Sequence, residues 1–172
     1  TLGDANRMAE ACDKAGVALT VGFCRRFDRE WGAMRKLVDA GTLGHPLIWR
    51  FTSVSFQRFH WYRQVDKGAG PLMDGAIHNY DFALQMFGPV RSVQASTNRF
   101  ARDSGGPDGG SAILTFESGH QHSLIWTWGG APGIPYTNLN DIVGPDGWMR
   151  FGHEKKTASF DPKKRGALTV TR

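Results

Sequence analysis

The chain of 172 residues lacks several features, and each absence narrows its function. It has two cysteines, Cys12 and Cys24, spaced neither as a metal site nor as a redox motif. They read as small buried hydrophobes of a reducing compartment, which points to the cytoplasm. The longest apolar runs are only strand-length, so no membrane span and no membrane partner are expected. Thr1 to Arg7 has neither the basic nor the apolar region of a signal peptide. No G-x-G-x-x-G occurs, so the loop that cradles the phosphates of a dinucleotide is not among these residues.

Positive charge is in excess, 21 Lys and Arg against 16 Asp and Glu, but it gathers late, in Lys155, Lys156, Lys163, Lys164, Arg165 and Arg172. These have no interleaved aromatics to stack bases, so they read as a solvated basic tail, and no nucleic-acid partner is expected. His120 and His122 lie two apart on a strand and share a face, but no third ligand accompanies them. They read as part of a polar sheet face, with no metal.

What is present has a clear order. Thr1 and Asp4 form a capping box, and Leu2, Ala5, Met8, Ala9, Cys12 and Ala15 recur at helical spacing up to Gly16. Val17 to Phe23 is a short apolar run that suits a buried strand, the tail of an α/β unit whose neighbouring strands do not precede it here. Asp28 can cap a second helix with Trp31, Met34, Leu37 and Val38 on its apolar face and Gly41 at its left-handed end. Pro46 to Phe56 reads as a long strand. A third helix starts at Pro71 and stops at Gly88-Pro89. Val90–Phe100, Ser111–Phe116, His120–Trp128, Asn140–Val143 and Trp148–Phe151 then read as strands, joined by turns at Ser118-Gly119 and 144–147. Short strands are expected near Thr157–Phe160 and Ala167–Thr171. Helices first and hairpin-linked strands last predict an α+β domain, with helices on one face of a mainly antiparallel sheet. The other face, expected to carry Trp and Phe, would then be a partner surface. Trp126 and Trp128, on one side of one strand, read as core or interface.

The third helix holds the candidate chemistry. Leu72, Ala76, Ala83, Leu84 and Phe87 form its apolar side, while Asp74, His78, Asp81 and Gln85 fall at i, i+4, i+7 and i+11. A carboxylate one turn from an imidazole can orient it and favour its protonated form, as a general acid/base at an alcohol carbon requires. Spacing alone leaves this stripe balanced between a site and an ordinary polar helix face. Arg25 and Arg26 end the apolar run and are equally a ligand contact and a surface salt bridge. Trp61, Tyr62 and Arg63 precede a glycine loop, where they can wall a ligand or pack against the helix.

The run Gly68-Ala69-Gly70-Pro71-Leu72-Met73-Asp74-Gly75-Ala76-Ile77-His78-Asn79-Tyr80-Asp81 resembles the G-G-G-x-L-x-D-x-G-x-H-x-x-D signature of the glucose–fructose oxidoreductase / inositol dehydrogenase / rhizopine catabolism (Gfo/Idh/MocA) family. Val21-Gly22-Phe23-Cys24-Arg25-Arg26-Phe27-Asp28 is similar to the family's V-G-F-x-R-R-F-D, and Gly41-Thr42-Leu43-Gly44 to its G-x-[IL]-G turn. The resemblance runs from about Thr1 to Phe151. Ala69 and Ala76 stand where the signature has glycine, and the family's E-K-P lysine and its last helix pattern do not occur.

The resemblance implies a two-domain oxidoreductase. Residues 1–23 are expected to be a remnant of its Rossmann domain. Residues 24–172 are expected to be the α+β substrate and oligomerisation domain, trimmed at its end. It implies NAD or NADP as cofactor, bound mainly by the Rossmann domain, and a sugar or cyclic polyol such as an inositol as substrate. In the carry-over Asp74 binds a substrate hydroxyl, His78 is the acid/base and Asp81 is mainly structural. Trp61 and Arg26 are further substrate contacts, and Arg25 and Arg63 can touch the cofactor. A homo-oligomer, dimer or tetramer, is expected through the sheet. The rival reading is a non-catalytic binding or oligomerisation module using that open face.

Overall fold

A computed structural model describes residues 1–55, 60–131, 136–152 and 167–171. Its regular elements are α1 (Leu2–Ala15), α2 (Arg29–Asp39), β1 (Ile48–Val54), α3 (Ile77–Phe87), β2 (Val90–Asn98), β3 (Gly109–Phe116), β4 (Gln121–Thr127), β5 (Thr137–Gly144), β6 (Gly147–Gly152) and β7 (Ala167–Thr171). The strands form one sheet in the order β2-β3-β4-β1-β5-β6-β7. Among the described residues only the β1–β4 pair is parallel; the other pairs are antiparallel, each next to its neighbour in sequence except β1 with β5. The fold is therefore the expected α+β domain with a mainly antiparallel sheet. The strand expected near Thr157–Phe160 and the late basic cluster lie outside the described residues.

Strand β1 sets the two faces, because alternate residues point to opposite sides. Trp49 and Phe51 point inward and are buried, while Ile48, Arg50 and Thr52 point to the open face. Trp31 of α2 meets Trp49 edge-on at 5.4 Å and Phe82 of α3 at 5.1 Å, so one indole pins both helices to the sheet. Phe87 meets Phe116 at 5.2 Å further along. Each such burial contributes roughly 1.5–3 kcal/mol. The cap signals hold: Asp28 Oδ1 accepts from the amides of Glu30 and Trp31, and Gly41, at φ 65°, closes α2.

Five readings change. Val17–Phe23 forms no strand, since a lone strand has no ladder and none of the described residues pairs with it; Val17, Leu19 and Val21 are exposed, and α1 buries no residue. The helix from Pro71 is interrupted: 71–75 is a wide π turn, and α3 proper begins at Ile77. Its buried face is Asn79, Phe82, Ala83 and Phe87, with Leu84 turned out, because the turn resets the helical phase. Trp148 stands on the open face, but that face otherwise carries Ile48, Ile113, Ile125 and Val143 beside Arg50, Asp141 and Arg150, so it is not the aromatic surface expected. Trp49, Phe51, Phe116 and Trp126 lie inward, on the side of the helices. His120 and His122 are likewise inward: His122 stacks on Trp49 at 4.0 Å, and His120 Nδ1 accepts from the Leu47 amide at 2.9 Å. Cys12 is half-buried and Cys24 exposed, so neither cysteine is the buried hydrophobe its residue type suggested.

Candidate active site

The glycine loop and the π turn place the start of α3. Gly70 has φ 77°, and a Cβ there would lie 2.5 Å from the Pro107 carbonyl oxygen, so the chain turns where only glycine fits. Ala69 is the one non-glycine residue with positive φ among the described residues, at the position where the signature has glycine. At Gly75 a Cβ would lie 2.9 Å from Trp126 and 3.0 Å from Trp128, so the turn sits directly on the sheet. That close approach carries His78 and Asn79 to the wall of a cavity of about 710 Å³.

The cavity is walled by α2, α3 and strands β1, β4 and β5, and it includes Arg25, Trp31, His78, Asn79, Trp126 and Asn138. His78 stands edge-on to Phe23 at 6.4 Å, and its Nδ1 is buried without a hydrogen-bond partner. Asp74, one turn earlier, has its carboxyl raised above the ordinary range by partial burial, opposed by the nearby charge of His78. The remaining half of the polar stripe is tied up: Asp81 accepts from both arms of Arg26 and from Gln85, and Gln85 in turn accepts from Arg35. His78 thus lines the cavity, Asp74 is exposed and does not line it, and Asp81 and Gln85 brace α3 against the Cys24–Phe27 turn and α2.

The other sequence candidates separate. Arg25 reaches Asp28 at 2.8 Å, lies over the Trp31 ring at 5.4 Å and borders the cavity. Arg26 is engaged by Asp81, not by the cavity. Trp61 is exposed and stacks on Tyr62 at 3.8 Å, and Tyr62 meets Trp128 edge-on; neither Trp61 nor Tyr62 lines the cavity. The side chain of Arg63 lies outside the described residues.

Sequence reasoning missed Asn79, Trp126 and Asn138 as lining groups. Asn79 is wholly buried with both amide atoms unpartnered, and Trp126 Nε1 and Asn138 Oδ1 are also buried and unpartnered. Asn140 differs, because its Oδ1 accepts from Trp49 Nε1 at 2.7 Å. The signal for Asn79 was an amide on the apolar side of a helix; the strand residues gave none. Among the described residues, no group of three or more His, Cys, Asp and Glu is placed to hold a metal, and no helix is long and apolar enough to cross a membrane.

Residues 31–150, more than half of the chain, match the family model of the GFO/IDH/MocA C-terminal domain. The chain is 33% identical over 123 residues to a myo-inositol 2-dehydrogenase of Thermotoga maritima, an alignment covering 69% of the chain and 36% of that protein. It is 32% identical over 121 residues to a D-apiose dehydrogenase of Paraburkholderia graminis, with 69% and 32% covered. Among solved structures it resembles the WlbA dehydrogenase of Bordetella pertussis in complex with NADH and UDP-GlcNAcA, with a TM-score of 0.74 and 26% identity, over 88% of this chain and 49% of that one. The chain therefore spans about a third of the length of these curated relatives and about half of the solved one. With the signature loop, the seven-stranded sheet and the model match in agreement, the chain belongs to the GFO/IDH/MocA oxidoreductase family and carries its C-terminal domain.

Proposed function

We propose that this domain forms the substrate side of an NAD(P)-dependent dehydrogenase acting on a sugar or a cyclic polyol such as an inositol. The observation that carries the reading is His78, which lines the cavity with a ring nitrogen left unpartnered, one turn after Asp74, whose carboxyl is raised by desolvation. Relatives named as inositol and apiose dehydrogenases support the substrate class.

The chain has no glycine-rich phosphate loop, so its residues fit the substrate and not the pyrophosphate of a dinucleotide. A nicotinamide bound from the Rossmann side would supply the hydride acceptance or donation at the carbinol carbon. Within this chain, His78 accepts the hydroxyl proton as the carbonyl forms and gives it back in reduction. Asp74 orients the imidazole and accepts from a substrate hydroxyl. Arg25 borders the cavity mouth and can contribute to the cofactor side. Arg26 acts through Asp81, as a positioning residue. Trp61 offers an exposed aromatic wall beside the glycine loop.

Residues 1–23 belong with the Rossmann domain in this reading, which supplies the cover that α1 and the extended residues after it have not found. The open sheet face, with four exposed branched aliphatics, is the surface for a homo-oligomer. The two free cysteines suit a reducing compartment such as the cytoplasm.

The full-length protein should be assayed with NAD and with NADP over myo-inositol, scyllo-inositol and D-apiose and related polyols. Dinucleotide-linked oxidation of at least one is expected. No turnover of any sugar or cyclic polyol with either dinucleotide would overturn the reading.

A further inference from the structure

We propose that Asn79 is a specificity-determining residue, whose side-chain amide takes two neighbouring hydroxyls of the substrate. The proposal rests on the polyol reading above and names a part of the site which that reading does not use. Asn79 directly follows His78, so it is rotated about one quarter of a turn from it, onto the face of α3 that meets the sheet. Its neighbours on that face are Phe82 and Ala83, both buried. An amide there gains nothing from packing that an apolar side chain would not supply better. It also leaves a donor and an acceptor buried and unmade, which is costly in any protein interior.

The orphaned amide is not alone. Across the same cavity, Trp126 Nε1 is an unpartnered donor and Asn138 Oδ1 an unpartnered acceptor. Trp126 stacks on Phe51 at 5.1 Å, which fixes its indole plane, and Asn138 Nδ2 donates to the Tyr136 hydroxyl at 2.9 Å, which fixes its orientation. The cavity therefore presents held donors and acceptors in both senses, with no formal charge on any of the three. A carboxylate or phosphate would leave the acceptors facing negative charge. A hydroxyl both donates and accepts, and two adjacent hydroxyls on a ring match the amide, one donating to Oδ1 and the other accepting from Nδ2. The indole adds a flat surface against which the C–H face of a ring can lie.

The test uses the full-length protein with myo-inositol, scyllo-inositol and D-apiose, and the monodeoxy analogues of whichever it oxidises best. Wild type should disfavour, by about tenfold in kcat/KM, the analogues lacking either hydroxyl that meets Asn79, the effect of one well-placed hydrogen bond. Asn79→Leu, close in volume, should abolish that discrimination, with the loss on the parent substrate falling more in KM than in kcat. Asn79→Asp keeps the shape and the acceptor. It should retain the penalty for the hydroxyl that donates and lose it for the one that accepts, which gives an answer even if Asn79→Leu does not fold. Wild-type discrimination surviving in either variant overturns the assignment of Asn79 and leaves the polyol reading standing. A wild type that oxidises no sugar or polyol overturns both.

Discussion

Arg26 grips Asp81 with two nitrogens, at 2.9 and 2.5 Å, across fifty-five residues of sequence. This fork ties the turn Cys24–Phe27 to α3, and Arg26 also lies over the Phe23 ring, which stands perpendicular to that of His78. The fork is thus the link by which an apparent surface ion pair sets the surroundings of the candidate acid/base. Arg26→Ala should speed amide exchange in residues 24–27 while leaving the strands β1 to β4 protected, which hydrogen-exchange mass spectrometry would resolve. Unchanged exchange in that turn would mean the chain there is held by something else. Arg26→Lys should not restore protection, since an ammonium cannot make the two-armed contact.

Gly75→Ala is a test of how closely α3 is seated. The added methyl meets two indoles at about 3 Å, and these are rigid rings rather than flexible chain ends. A destabilisation of about 1–3 kcal/mol is expected in denaturant unfolding, the usual size for overpacking a core. Because Trp126 also walls the cavity, substrate affinity should weaken with it. A variant as stable as wild type would show that the turn stands further from the sheet.

The inward histidines make stability depend on acid. Burial holds His122 down to about 4 and lowers His120, to which His45 adds by its charge. Both rings are therefore kept neutral in the fold but take up protons in the unfolded chain near the ordinary value of 6.5. The unfolded state binds more protons below that value, so the contribution is fully present above pH 6.5 and is lost as pH falls towards 4. For His122 alone the loss is on the order of 3 kcal/mol. His122→Phe keeps a ring against Trp49 and removes the titration. Its thermal midpoint should fall less than that of wild type between pH 7 and pH 4.5. Parallel acid curves for the two would exclude His122 as the cause.

The open face predicts self-association. Ile113 and Ile125 lie on adjacent strands and are about half exposed, on the side that no helix among the described residues covers. Sedimentation should show a dimer or larger, and Ile113→Lys with Ile125→Lys should shift it to monomer while the fold persists. A monomer across a wide range of concentration would contradict the homo-oligomer.

The fold was legible where local chemistry decides it. Asp28 and Gly41 marked both ends of α2, and alternation marked β1, because caps and period-two burial are written in neighbouring residues. Reading failed where distant contacts decide. Val17–Phe23 has strand composition but no ladder partner among the described residues, so composition alone misled. His120 and His122 looked like a wet face because histidine is usually exposed, yet Trp49 supplies a ring to stack on and the Leu47 amide a bond. In the site, the spacing of Asp74 and His78 was visible in the helix, whereas Asn79, Trp126 and Asn138 meet only after β4 and β5 have closed on α3. Arg26 was left equally a ligand contact and a surface salt bridge, and no sequence pattern announces a partner as distant as Asp81.

Whether His78 moves the hydroxyl proton is tested most directly by kcat of the full-length protein with His78 replaced by Ala, on its best polyol or sugar substrate. Removing a general acid/base should lower kcat by about 10²–10⁴-fold. The dissociation constant for substrate should change far less, because hydroxyl contacts elsewhere in the cavity remain. Turnover within a few-fold of wild type in His78→Ala would contradict the assignment and reduce the stripe on α3 to the brace that Asp81 and Gln85 already form.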